Sequence, residues 1–349
     1  MRRFFFNAFI GAVAILVACG EEGGSQQKPQ PSHEGEFRNP VLTSAPDPWV
    51  FQKDEWYYFT HTTGNSIRLY RSKKMSDLRN AEVKTVWSPP SSGMNSKNIW
   101  APEIHFVNDK WYFYYAADDG NNSNHRIWVL ENASADPFQG TWLDKGQLLL
   151  PDNKWAIDGS IFEFKGNLYF LWSGWEGDID VRQDIFIVRM KDAITPEGER
   201  ITLSIPELAW EKNGSPPAVN EGAQFIQHED KIFISYSASG CWTDDYALGL
   251  LSADASSDVL DPASWVKSPE PVFTSNTSGQ AFAPGHNSFF KSVDGKEDWI
   301  IYHANSSAGE GCGNKRSFRI QKLTWDEAGF PVFGKPIALS TYLPKPSGE

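Results

Sequence analysis

The chain has 349 residues, with 32 Lys and Arg against 44 Asp and Glu and a net charge of −12 at pH 7. No basic cluster exists beyond Arg2-Arg3, which argues against a nucleic-acid partner, because neutralising phosphates needs a positive face. Fifteen Trp, 23 Phe and 11 Tyr fit β structure around a large aromatic core; they also fit sugar recognition, in which flat rings stack on the apolar faces of sugars.

At the N-terminus, Met1-Arg2-Arg3 precedes an apolar run from Phe4 to Ala18 that ends in Leu16-Val17-Ala18-Cys19. A charged start, a short apolar core and small residues at the cut describe a secretory signal, whereas a membrane span needs about 20 apolar residues. The Leu-Val-Ala-Cys ending resembles the bacterial lipobox, which implies a lipidated Cys19 and a membrane-anchored, exported protein. Residues 20–37 are rich in Gly, Gln, Pro and Glu and read as a flexible tether. We therefore expect a signal over 1–19, a tether over 20–37 and a folded, monomeric domain over 38–345. Of the other cysteines, Cys241 and Cys312, export permits a disulfide; two unpaired thiols are the alternative that the sequence leaves open.

From residue 38 onward one motif recurs five times. A polar anchor opens an apolar strand, a turn follows, and an aromatic-rich second strand returns. The copies begin at Asp47-Pro48-Trp49, Glu103-Ile104-His105, Asp158-Gly159-Ser160, Glu221-Gly222-Ala223 and His286-Asn287-Ser288. Turn signals such as Asn108-Asp109 and Lys165-Gly166 join the two strands, as hairpins require. A third strand follows in each copy, from Ile67-Arg68-Leu69-Tyr70 to Phe318-Arg319-Ile320-Gln321. No stretch keeps helical periodicity over several turns. The expected fold is all-β: a five-bladed β-propeller with four-stranded blades around a central channel, with a β-sandwich or β-helix as the competing reading.

In a propeller the first strand of each blade lines the channel, so equivalent residues meet at one end of the axis. Those residues are Asp47, Glu103, Asp158, Glu221 and His286: four carboxylates and one imidazole. Solvated surface carboxylates have no reason to open every inner strand. An acidic pocket at one mouth of the channel is the expected active site.

The blade openings Ala45-Pro46-Asp47-Pro48-Trp49-Val50, Trp100-Ala101-Pro102-Glu103-Ile104, Ala156-Ile157-Asp158-Gly159-Ser160, Val219-Asn220-Glu221-Gly222 and Pro284-Gly285-His286-Asn287 resemble those of glycoside hydrolase family 43, in order and in spacing. The resemblance implies Asp47 as general base, Asp158 as the carboxylate that tunes and orients the acid, and Glu221 as general acid. This division suits the chemistry, which needs one ionised carboxylate to activate water and one protonated carboxylate to release the leaving oxygen. A third carboxylate nearby is expected to raise the acid's pKa. Base and acid on blades one and four suit the roughly 6.5–9.5 Å gap of an inverting enzyme. For Glu103 a structural role is expected. The family's equivalent of His286 lies near the channel axis beside calcium, which implies a structural calcium there and no cofactor for the chemistry. Arg316 is similar to the arginine that reaches the sugar in the cleavage subsite, with a surface ion pair as its alternative. Trp100 is a candidate wall of that subsite, and Trp175 and Trp242, in loops after second strands, are candidates for stacking on more distant sugars.

The segments Trp172–Gly177 and Tyr236–Tyr246 look most like the α-L-arabinofuranosidase branch, acting on arabinan or arabinoxylan-type plant polysaccharide. Endo-arabinanase and β-xylosidase are the alternatives within the family, since fold does not select substrate. A glycan-binding lipoprotein with a dead site is the alternative from another class; all three carboxylates being present argues against it.

Overall fold

Each polar anchor sits at or near the start of an antiparallel meander. The computed structural model describes Met1 and residues 33–349; Cys19, the signal segment after Met1 and most of the tether lie outside the described residues. Strand β1 (Glu36–Phe37) precedes the first meander, which is β2 (Trp49–Lys53), β3 (Trp56–Thr60), β4 (Ile67–Ser72) and β5 (Glu82–Trp87). The second is β6 (Lys97–Val107), β7 (Lys110–Asp118), β8 (Arg126–Asn132) and β9 (Leu143–Gln147). The third is β10 (Ala156–Phe164), β11 (Asn167–Trp175), β12 (Arg182–Asp192) and β13 (Thr195–Ser204). The fourth is β14 (Ala218–His228), β15 (Lys231–Ala238), β16 (Ala247–Asp254) and β17 (Val266–Lys267). The fifth is β18 (Phe282–Lys291), β19 (Asp298–Asn305), β20 (Ser317–Trp325) and β21 (Pro331–Val332), followed by β22 (Leu343–Pro344). Among the described residues the only helical elements are short 3-10 turns.

Local chemistry explains the hairpins. Asn108 and Asp109 between β6 and β7, and Lys165 and Gly166 between β10 and β11, all have positive φ. Positive φ at both central residues is the turn whose twist matches two-residue hairpins. The period of two then sorts the side chains. Along β7, Trp111, Phe113 and Tyr115 pack with the first meander while Tyr112, Tyr114 and Ala116 pack with the third. Both faces are covered, so the strand reads as a continuous aromatic run rather than an alternating one.

The first, second and fifth meanders are separate four-stranded sheets. The third and fourth merge into one eight-stranded sheet, because β14 begins at Ala218, ahead of its anchor, and pairs in parallel with Arg182 and Gln183 of β12. The sheet pairing therefore differs from five separate four-stranded units. The first strands β2, β6, β10, β14 and β18 nonetheless touch in that order, and β18 touches β2. Five apolar clusters fill the spaces between successive meanders, including the space between the fifth and the first. This is where most of the aromatic residues go.

The N-terminal segment closes the series. Val41 N–H donates to the Phe318 carbonyl and Ala45 N–H to that of Arg316, at 2.9 Å each, while β1 pairs with β22. Glu36 and Phe37, expected in the tether, thus belong to the fold, and Phe37 is buried beside Trp299. A polar flank with one aromatic residue looks like tether by composition; strand pairing with a segment three hundred residues away overrides it.

Candidate active site

The inner strands are irregular where the anchors lie. Register shifts fall between Trp100 and Glu103, between Ile157 and Ser160, between Glu221 and Gln224, and between Gly285 and Ser288. Such bulges re-aim side chains, and they turn these carboxylates and the imidazole away from ordinary pleat positions. Asp47, Asp158 and His286 have φ of 52°, 55° and 48°, a left-handed conformation that costs a non-glycine residue energy and concentrates at functional sites. Gly222, next to Glu221, is there because the His286 ring lies against it: a Cβ on Gly222 would meet the ring Nδ1 at 3.2 Å.

Asp47, Asp158, Glu221, His286 and Arg316 come together at one end of these strands. Arg316 Nη1 donates to Asp47 Oδ1 at 2.6 Å. His286 Nδ1 lies 3.5 Å from the same oxygen and 4.0 Å from Asp158 Oδ2. Asp158 Oδ2 accepts the Gly222 N–H at 3.0 Å, and the Tyr246 hydroxyl donates to Glu221 Oε1 at 2.7 Å. Glu103 sits deeper. Its oxygens bond His105 Nε2 at 2.9 Å and Gln224 Nε2 at 2.6 Å.

The environment drives the carboxyls apart. Burial alone would raise Asp47, but the Arg316 guanidinium, then His286 and His303 and a hydrogen bond from Thr62, together hold it well below the usual carboxylate range. Glu221 is pushed up to about 7, first by burial and then by the charge of Asp47, against the opposing Tyr246 hydrogen bond and Arg316. Asp158 is raised well above its ordinary value by burial, then by the negative charges of Glu221, Asp47 and Glu103. One carboxylate is thus kept ionised beside a pair that retains protons.

Two contributors open none of the repeats. His303, in β19, is buried and accepts the Asp47 backbone N–H on Nδ1 at 3.1 Å. Burial pushes its pKa well below the ordinary imidazole value, so it is the neutral, Nε2-protonated ring that holds Asp47 in its left-handed conformation. Tyr246 stacks parallel to it, with centroids 5.8 Å apart. Polar residues ending otherwise apolar second strands, such as His303, were the available signal.

The aromatic candidates separate. Trp100 is half-buried, with its ring stacked on His125 at 4.1 Å. Trp175 is not in a loop: it ends strand β11, is 4% exposed, and lies flat on Trp155 at 4.9 Å. As a free stacking platform it is corrected to a core residue, because the strand extends further than its turn signals indicated. Trp242 is 45% exposed. Beside it Cys241 and Cys312 form a disulfide with Cα atoms 5.2 Å apart, which removes the free-thiol alternative.

Calcium takes six to eight oxygen ligands. His286 offers one nitrogen, and among the described residues no group of three or more His, Cys, Asp or Glu is arranged to hold a metal ion. A directly coordinated ion does not fit these side chains. A separate cavity of about 380 Å³ opens at the far end of the inner strands, lined by Phe51, Phe106, Phe162, Phe225 and Phe289 with one carboxylate, Glu163; the paired acids lie at the other end.

Residues 37–331 match the model of glycosyl hydrolases family 43. The chain belongs to that family. This family 43 glycoside hydrolase is 39% identical to the extracellular exo-α-(1→5)-L-arabinofuranosidase of Streptomyces avermitilis, over 97% of this chain and 71% of that protein. It is 34% identical to α-L-arabinofuranosidase 43 of Humicola insolens, over 86% of this chain and 64% of that one. Among solved structures, the α-L-arabinofuranosidase from Lactobacillus brevis superposes with a TM-score of 0.82 at 33% identity, covering 87% of this chain and 98% of that one.

Proposed function

We propose that this protein is an exo-acting α-L-arabinofuranosidase that releases arabinofuranose from arabinan or arabinoxylan-type polysaccharide with inversion. The observation that carries the reading is the opposed pair at one mouth: Asp47 held ionised by Arg316, and Glu221 pushed up to about 7. In this reading Asp47 takes a proton from water as the water oxygen attacks the anomeric carbon. Glu221 gives its proton to the leaving oxygen as the glycosidic bond breaks, and Asp158 orients Glu221 through the Gly222 N–H. Asp47 and Glu221 stand on first strands that are not neighbours in the ring, which leaves room for water between base and sugar. The names of the relatives support the sugar.

The ring of first strands supports counting the eight-stranded sheet as two blades sharing a short parallel seam, and the whole as a five-bladed propeller. Export fits the extracellular relatives and the N-terminal signal, and anchoring through Cys19 is part of the same proposal. A calcium beside His286 would be held chiefly by water and is structural here. The enzyme acts as a monomer.

Product analysis on linear arabinan, decorated xylan and an aryl arabinofuranoside tests the activity, with NMR of the anomer released first. Arabinose released from chain ends as the β-anomer is expected. A retained α-anomer refutes inversion and recasts Asp47 as a nucleophile, and internal cleavage products refute the exo reading. Cys19→Ala is expected to move active enzyme from the membrane to the soluble fraction.

A further inference from the structure

Trp242 is exposed and yet held in place. Its Nε1–H donates to the Gly214 carbonyl at 3.2 Å. Its ring lies against two backbone segments that only glycine allows: a Cβ on Gly240 would meet Cε2 at 2.3 Å, and one on Gly214 would meet Nε1 at 2.6 Å. The loop beneath is fixed as well. Gly240 N–H donates to the Asn213 carbonyl at 2.8 Å, and Thr243 N–H to that of Gly240 at 2.9 Å. The preceding residue, Cys241, is bonded to Cys312 of the neighbouring loop, and both Asp244 oxygens accept the Gly309 N–H at 2.9 and 3.0 Å. An indole so placed has lost its rotamer freedom before any ligand arrives, and binding is favoured by what it need not then order. The ring is nonetheless 45% exposed.

Its loop also reaches the acid. Glu221 pairs with Ser237 across β14 and β15, and Trp242 follows on the loop that leaves β15. The same loop ends in Tyr246, whose hydroxyl holds Glu221. A general acid must come within about 2.6–3.2 Å of the oxygen it protonates, so the leaving group starts at Glu221, which the loop that carries Trp242 already touches through Tyr246. We infer that Trp242 is a preformed platform for the first sugar ring on the leaving-group side, the unit of the polysaccharide from which arabinofuranose is cut. This rests on the proposed arabinofuranosidase activity and deepens it: the enzyme recognises a carbohydrate leaving group and not only the terminal sugar.

The test compares Trp242→Ala, Trp242→Phe and Gly240→Ala with the wild type on arabino-oligosaccharides and on an aryl arabinofuranoside, whose leaving group carries no sugar ring. Trp242→Ala is expected to lose about tenfold more kcat/KM on the oligosaccharide than on the aryl substrate, mostly through KM, as truncation of an anchoring Trp does elsewhere. Gly240→Ala keeps the indole but displaces it, and is expected to share the selective loss, whereas Trp242→Phe retains a stacking ring and recovers most of it. Equal losses on both substrates would overturn the platform. A wild type inert on every arabinofuranoside would instead overturn the proposed function. The platform is then decided by tryptophan fluorescence on titrating arabino- and xylo-oligosaccharides: a saturable change lost in Trp242→Ala supports it, and identical titrations refute it.

Discussion

Replacing Arg316 by Met tests whether one guanidinium sets the base. Arg316 and Asp47 share a 2.6 Å hydrogen bond between opposite charges, both largely buried. A hydrogen bond to a charged group contributes about 1.5–3 kcal/mol, or roughly one to two pKa units at about 1.36 kcal/mol each. His303 is neutral and burial lowers His286, so neither replaces the lost charge near neutral pH. In Arg316→Met burial then acts on Asp47 against only the smaller effects of the histidines and the Thr62 hydrogen bond, and the acid limb of kcat/KM on an aryl arabinofuranoside should move up by roughly one to two pH units. Stability follows with a definite sign. In the wild type the folded pKa of Asp47 lies below its unfolded value of about 3.9, so its contribution is complete above that value and is lost as pH falls through the folded pKa. Removing Arg316 raises the folded value toward or past the unfolded one, which shrinks or reverses that contribution. The difference in Tm between wild type and variant should therefore be widest near neutral pH and narrow on acidification. An acid limb that stays in place would refute the argument that Arg316 keeps Asp47 ionised.

Glu221→Ala should lose most activity on polysaccharide and far less on an aryl arabinoside with an acidic phenol, which departs without a proton; equal losses would remove Glu221 from the role of acid. Tyr246→Phe deletes a hydrogen bond that favours the ionised Glu221, so the alkaline limb of kcat/KM, expected near pH 7 from Glu221, should move upward, and a downward shift would contradict that account. Reducing Cys241–Cys312, which closes a separation of 71 residues, should lower stability by up to about 4 kcal/mol on the chain-entropy estimate, read as a fall in Tm under thiol reductant that Cys241→Ser/Cys312→Ser reproduces without reductant.

How much was legible follows from where each residue sits in the repeat. Asp47, Asp158, Glu221 and His286 open the first, third, fourth and fifth copies of one pattern, so register alone places them at one end of the inner strands, where His286 lies near Asp47 and Asp158 and Asp158 accepts the N–H of Gly222 beside Glu221. Trp175 misled because its run, Trp172-Ser173-Gly174-Trp175, reads as loop after Leu171. Covered on both sides by neighbouring meanders, the strand tolerates Ser and Gly and continues to Trp175. The eight-stranded sheet was hidden for a related reason: a two-residue parallel seam between Arg182-Gln183 and Ala218-Val219 leaves no periodic trace.

The two contributors outside the repeat's equivalent positions share one property. His303 and Tyr246 belong to no inner strand, yet His303 accepts the Asp47 backbone N–H and the Tyr246 hydroxyl donates to the Glu221 carboxylate, and they stack on each other. A repeat predicts what its equivalent positions bring together, because the ring geometry does the assembling. It does not predict which side chain at the end of a second strand, or at the foot of a third, will lean inward. Those ends adjoin the loops, where the copies differ most. The loop from Ser239 to Tyr246 shows the consequence. In one short stretch it carries the disulfide, the exposed Trp242 and the hydroxyl on Glu221. The inner strands supply the carboxylates that any member of such a fold could share, while this loop carries the hydroxyl on the acid and, in the platform proposed above, the surface that meets the leaving sugar. On that proposal substrate choice lies in the part of the chain with the least repetition, which is why the repeat points to the chemistry before it points to the polysaccharide.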